Sequence, residues 1–259
     1  MIHDTAIIEK GAELDEGVEI GAYAIISAAT RIGTDCRIAA HAQLCGKIEV
    51  GPGSCIGHAA VIGGDPQDLD FDNKCESGVR IGSNNNLREH VTINRSASEQ
   101  GWTSIGNDNF LMAGSHLGHD VKIGSGNIIA NNCLLAGHVS VGDKTFLGGG
   151  SVFHQFIHIG ELCMTQGNSA ISKDIPPYCV ASRLNRLVGL NVVGLRRDGL
   201  SAETRAELKR AYRGAFRAKL PLRSALEKLQ DEEWGPYARQ FLQALGTPGR
   251  KGVCFPKPG

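Results

Sequence analysis

Four of the nine histidines fall between residues 116 and 154: His116, His119, His138 and His154. His119 is followed directly by Asp120, and His138 is preceded directly by Gly137. An imidazole held beside a carboxylate can take a proton from a hydroxyl near neutral pH. A glycine lets a backbone N–H come close to a carbonyl oxygen, as a donor to a developing oxyanion must. These residue types suit acyl transfer to a hydroxyl. Metal binding is the rival, because imidazole is a common metal ligand. Only Asp120, among carboxylates and cysteines, joins the group at ligand spacing, so the pattern favours proton transfer and no metal-ligand set is assigned. A lone histidine is most often an ordinary surface residue, so the assignment depends on the elements that would bring these four together.

Those elements are set by a repeat of six. Ile8, Leu14, Ile20, Ile26, Ile32, Ile38, Leu44, Val50, Ile56 and Ile62 follow one another at that spacing. The beat slips by one residue across a polar stretch near 64–78 and resumes at Ile81, Leu87 and Ile93. After a second polar stretch near 94–103 it runs from Ile105 through Leu117, Leu135 and Phe153 to Ile159, breaks at Thr165 and returns at Ile171. Glycine often follows the large residue, as at Gly21, Gly57 and Gly124, and a small or β-branched residue often stands two before it, as at Ala24, Thr30, Cys36 and Cys133. A helix would need apolar residues at spacings of three and four. The fixed six instead predicts a parallel β-helix with three short faces per turn, each coil resting on the next. Residues eighteen apart then stack about 4.8 Å from one another. Leu117, Leu135 and Phe153 have this spacing, so the histidines beside them collect on one flank, within about 10 Å along the axis. The two polar stretches leave the prism as loops, and loops on a rigid scaffold often carry function.

Composition sets the remaining bounds. Lys plus Arg and Asp plus Glu are balanced at 27 each, which gives no general field for nucleic acid or an anionic membrane. No apolar run is long enough for an integral membrane segment, and the N-terminus lacks a secretory pattern. Eight cysteines without a CxxC read as reduced thiols in a cytoplasmic protein, with Cys36, Cys133 and Cys163 as small core fillers. The chain divides into a β-helix over 1–183 and a helical C-terminal domain over 184–259. Helices are expected from Ser201 to Leu220, from Pro221 to Leu229, and around Trp234, Tyr237, Phe241 and Leu245 up to Gly246, with an irregular tail after them.

The segments NDNFLMAGSHLGHDVKIG, LAGHVSVGD, SVFHQF and SKDIPPYCVA resemble the UDP-N-acetylglucosamine O-acyltransferases, which act first in lipid A synthesis. The combined H-x-x-H-D, AGH, HQF and DIPPY pattern is specific, and the similarity extends over nearly the whole chain. The resemblance implies an all-β left-handed parallel β-helix followed by a small α-helical domain, a homotrimer, and sites between subunits. It also implies an (R)-3-hydroxyacyl donor carried as a 4'-phosphopantetheine thioester on acyl carrier protein, and no resident cofactor. His119 would be the general base, Asp120 its orienting partner, and the Gly137 N–H the oxyanion donor. His116, His138, His154 and Gln155 would surround the sugar, phosphates and acyl hydroxyl. Gln67 and Asp68 would reach the substrate from an adjacent subunit, Asn191 and Arg197 would touch the nucleotide, and Gly167 would set acyl length and leave room for a longer chain.

The sequence departs from the family pattern at Asp70, Asn94, Val193 and Asp198, all in segments that face the substrate. These departures bear on the uridine contacts and on the acceptor, which in some relatives is a 3-amino sugar that yields an amide. Two further alternatives stay open at this point: coenzyme A-dependent acetyl transfer and a zinc-dependent hydratase on the same fold.

Overall fold

The structure, a computed structural model, describes residues 1–256. Each hexad folds as one short strand and a corner, as in His116–Leu117, Leu134–Leu135 and Val152–Phe153. Among the described residues the strands stack into sheets of nine, eight and eleven strands, parallel except for one antiparallel pair near the end of the third, and these form the three faces of a left-handed β-helix. We number the faces by their opening strands: Ile7–Ile8 begins the first, Glu13–Leu14 the second and Glu19–Ile20 the third. Register follows the eighteen-residue period, with Leu117 opposite Leu135 and Leu135 opposite Phe153.

From Ile20 to Ile171, every residue on the beat is at most 4 % exposed. The small companions, including Ala24, Thr30, Cys36 and Cys133, are fully buried beside them. Thr165 keeps the interior satisfied because its hydroxyl accepts the Gly148 N–H at 2.9 Å. A buried asparagine ladder also runs up the prism. Asn85 Oδ1 accepts the Asn109 amide at 2.9 Å, Asn109 Oδ1 accepts the Asn127 N–H at 2.9 Å, and Asn127 Oδ1 accepts the Thr145 N–H at 2.8 Å. The glycine after the aliphatic has a steric cause: at Gly57 a Cβ would lie 2.5 Å from the Arg88 carbonyl carbon of the next coil.

Both polar loops leave the same corner, where the first face turns into the second. The first runs between strands Val61–Gly64 and Gly78–Ile81, the second between Thr92–Asn94 and Trp102–Ile105. His119–Asp120, Gly137–His138 and His154–Phe156 occupy that corner on the coils that follow.

Beyond the repeat, strand Cys179–Ser182 turns back on Arg186–Leu190 in an antiparallel pair that extends the third face. Four helices follow: α1 Val192–Arg197, α2 Ala202–Arg217, α3 Leu222–Leu229 and α4 Pro236–Gly246. Ser201 caps α2 by accepting the Thr204 N–H at 3.1 Å. Trp234 lies before α4, not in it, because Pro236 at the first turn starts that helix. The buried Trp234 indole donates to the Leu229 carbonyl at 2.8 Å instead. The tail expected to be irregular is partly ordered. Phe255–Pro256 pairs in parallel with Arg186–Leu187, and Asp174 accepts the Gly249 N–H at 2.6 Å. Long-range pairing overrides the weak local propensity there; residues 257–259 of that tail lie outside the described residues. No helix among the described residues is long and apolar enough to cross a membrane.

Candidate active site

The corner between the first and second faces brings His119, Asp120, Gly137 and His138 into contact. His119 Nδ1 lies 2.9 Å from Asp120 Oδ2, and the two side chains are 14 % and 12 % exposed. Asp120 is held from the other side by the Ser96 hydroxyl, which donates to Oδ1, and by the Ala97 N–H, 3.0 Å from Oδ2. Burial pushes the Asp120 carboxyl up, but the Ser96 hydroxyl, His119, the Ala97 N–H and the charge of His138 outweigh it, and the group sits below its usual range. Asp120 is therefore ionised at neutral pH. A carboxylate accepts only, so His119 presents Nδ1–H to it and keeps the Nε2 lone pair for a substrate proton.

Gly137 makes room for that nitrogen. A Cβ at residue 137 would lie 2.5 Å from His119 Nε2, and a Cβ at Gly118 would lie 2.8 Å from the Gly137 nitrogen. The Gly137 N–H takes no acceptor among the described residues, whereas its neighbours on the corner are bonded, Ala136 to Phe153 and His138 to His119. An unused donor thus stands beside an unused base.

His138 packs edge-on to His119 with ring centroids 5.0 Å apart and stacks on Phe156 at 4.4 Å. Burial holds its pKa low; Asp120 raises it, His119 lowers it further, and the balance stays below the ordinary value. Asp68, in the first loop, is near enough for its charge to act on His138 in the same chain. Gln67 beside it is exposed. His116 lies on the first face one coil below, with Nδ1 2.8 Å from the Thr92 hydroxyl and its pKa lowered by burial. His154 and Gln155 are exposed on the same corner one coil above, and His154 Nδ1 lies 2.6 Å from Lys251 Nζ.

Three predicted residues stand apart. Gly167 lies where the third face turns into the first, a different corner, with its missing Cβ 3.1 Å from the Gly149 carbonyl. Asn191 caps α1 through Gly194 at 3.0 Å and donates to the Leu162 carbonyl at 2.8 Å. Arg197 is exposed in the last turn of α1. Leu162 and Lys144, which pairs with Asp198 at 2.5 Å, belong to the remaining corner. Ser96, Ala97, Gly118 and Phe156 were not singled out in the sequence. The second polar stretch marked the segment that holds Ser96 and Ala97, and the eighteen-residue column through His138 ran to Phe156, but neither signal gave a role.

His119, Asp120 and His138 are also the one group, among the described residues, whose ligand atoms lie within 4.8 Å of one another. Their chemistry suits a metal poorly. The Asp120 oxygens already accept Ser96, Ala97 and His119, and His119 Nδ1 is committed to Asp120, which leaves two imidazole Nε2 atoms.

Comparison with known proteins agrees with this architecture. Residues 174–254 match the family model for UDP-N-acetylglucosamine O-acyltransferase domain 2, and residues 103–137 match the bacterial transferase hexapeptide. Proteins named acyl-[acyl-carrier-protein]–UDP-N-acetylglucosamine O-acyltransferase from Thermodesulfovibrio yellowstonii and Campylobacter concisus are 46% and 40% identical to the chain; 98% and 97% of it align, over 98% of each relative. The solved UDP-N-acetylglucosamine acyltransferases of Campylobacter jejuni and Bacteroides fragilis superpose with TM-scores of 0.92 and 0.93 at 36% identity, over 98% of this chain and 99% of theirs. With fold, repeat and sequence alike over nearly its whole length, the chain belongs to the UDP-N-acetylglucosamine O-acyltransferase family.

Proposed function

We propose that the chain transfers an (R)-3-hydroxyacyl group from the thioester of acyl carrier protein to the 3-hydroxyl of UDP-N-acetylglucosamine. The observation that carries the chemistry is the His119 ring, tied through Nδ1 to an ionised Asp120, with Nε2 free beside the unused Gly137 N–H. Nε2 takes the proton of the sugar hydroxyl as its oxygen attacks the thioester carbonyl. The Gly137 N–H receives the oxyanion of the tetrahedral intermediate. On collapse the C–S bond breaks, the ester forms, and the imidazolium returns its proton to the departing thiolate. The thioester arrives activated, so the reaction calls for no resident cofactor. His138, His116, His154 and Gln155 line the same flank for the sugar, phosphates and acyl hydroxyl, and Gln67 and Asp68 of the first loop reach the substrate there, Asp68 with its charge also acting on His138 of its own chain.

A homotrimer completes the site. In one chain Gly167, Asn191 and Arg197 sit at other corners than His119, so they serve it only across a subunit boundary. The outward side chains of the third face form an apolar ladder of Phe110, Ile128, Phe146 and Met164, and those of the first include Leu134 and Val152. The second face shows Ser104, Lys122, Ser140 and His158. Two apolar faces flanking one corner fit closure about a threefold axis. The carrier protein has a matching surface on α2, where Arg205, Lys209, Arg213 and Arg217 recur every fourth residue along a groove of about 450 Å³. The reading places the chain in the cytoplasm, where donor and nucleotide sugar are both met.

The test is turnover of UDP-N-acetylglucosamine and of its 3-amino analogue with carrier-protein thioesters of several lengths, read by mass. An ester product is expected, with rates about 100- to 10,000-fold lower for His119→Ala. Undiminished rates in that variant would remove the base, and turnover with acetyl-coenzyme A alone would remove the donor.

A further inference from the structure

Arg95, Ser96 and Ala97 lie side by side at the start of the second loop, and they reach in opposite directions. Arg95 reaches the first loop. Its Nε pairs with Asp65 Oδ1 at 2.8 Å, Nη1 donates to the Cys75 carbonyl at 2.5 Å and to Ser77 Oγ at 3.1 Å, and Nη2 donates to the Asn73 carbonyl at 3.2 Å. The Phe71 ring covers the guanidinium at 4.7 Å. One side chain, itself 12 % exposed, thus gathers both limbs of a loop that has no strand or helix of its own. That loop carries the exposed Gln67 and Asp68. Ser96 and Ala97 reach inward to Asp120. Ser96 is fully buried, and its Oγ accepts the Ser98 N–H at 3.0 Å, which orients the hydroxyl proton toward the carboxylate.

We propose that the tripeptide 95–97 is a positioning element for the transfer reaction: Arg95 sets the loop over the sugar site, and Ser96 with Ala97 sets the carboxylate that orients the base. The proposal rests on the reading of His119–Asp120 as that base. Because the two anchors are consecutive in the chain, the loop and the dyad share one rigid support. A displacement of either one then reaches the other through a single peptide unit.

The test separates the two arms. Ser96→Ala removes one donor from Asp120, so its carboxylate is easier to protonate. The expected result is a kcat about tenfold lower with both KM values unchanged and the acid limb of the kcat profile moved to higher pH. In an Asp120→Asn background the same change should cost nothing further. Arg95→Ala should raise the KM for the UDP-sugar at least about tenfold, speed amide exchange over 65–77, and leave the pH profile in place; Arg95→Lys, which keeps the charge on Asp65 but not the fork, should fall between. An unmoved acid limb in Ser96→Ala, an equal loss in the Asp120→Asn background, or unchanged loop exchange in Arg95→Ala overturns the proposal. Should Arg95→Ala not fold, Arg95→Lys is read by the same exchange. If wild type turns over no carrier thioester, the reaction assigned above falls. The positioning element is then judged by His119 proton titration in Ser96→Ala and by loop exchange in the Arg95 variants: shifts support it and their absence overturns it.

Discussion

His119 owes its orientation to the residue that follows it, and its free nitrogen to a residue eighteen positions on. The contact of Nδ1 with Asp120 fixes the tautomer, and the lack of a side chain at Gly137 leaves the space that Nε2 needs. Gly137→Ala would place a methyl group 2.5 Å from Nε2. The imidazole is the movable partner, so the protein should fold with a near-normal melting temperature while kcat falls about 100-fold; a wild-type kcat would show that the ring does not work from this position. Acid should act on the same cluster. His116, His138 and Asp120 all have pKa values below their ordinary ones, so each holds protons less well in the folded state than in the unfolded. Stability then rises with pH. The histidine share is complete above the unfolded imidazole value of about 6.5 and is lost as pH falls through the lower folded values; the Asp120 share is lost further down, below the ordinary carboxylate range. Melting temperatures between pH 8 and pH 5 should fall less steeply in His138→Asn, a residue that tolerates the φ of 60° there. An equal slope in that variant would remove His138 from the account.

At the level of elements the proposed site is one corner of the prism. The strands that flank His119, Gly137 and His154 are two residues long and would not hold alone; coil-on-coil stacking makes them rigid. Leu135, fully buried between Leu117 and Phe153, lies directly inside the coil that carries Gly137 and His138. Leu135→Ala should therefore destabilise the protein by about 2–5 kcal/mol, measured by denaturant titration; a loss under about 1 kcal/mol would mean that the coil collapses around the cavity. Periodicity made these strands legible because each interior position repeats the same steric demand. The strand Arg186–Leu190, helix α1 and the pairing of Phe255–Pro256 were not legible, since no repeated interior position marks them and the last also depends on a partner distant in sequence.

For the whole molecule, the outward ladder of Phe110, Ile128, Phe146 and Met164 matters as much as the inward one. Ile128 is 37 % exposed in the single chain, on a face where a solvated β-helix would show polar side chains. Ile128→Glu should leave the proposed trimer as monomers in sedimentation and abolish turnover, because in that arrangement Gly167 and Arg197 serve a neighbour's His119. A trimer that persisted with full activity would move the subunit boundary elsewhere.

The sequence by itself determined the β-helix, the interior columns and the collection of His119, His138 and His154 on one flank. A period of six fixes which residues stack, and stacking needs no information beyond the spacing. It also named the His119–Asp120 pair, because the two are adjacent in the chain. Only the tertiary structure decided that Ser96 and Ala97 hold that carboxylate, that Phe156 stacks on His138, that Arg95 gathers the first loop, and that Asn191 lies at another corner. These contacts arise from loops that leave the repeat and from side-chain directions at its corners, which six-residue spacing does not encode.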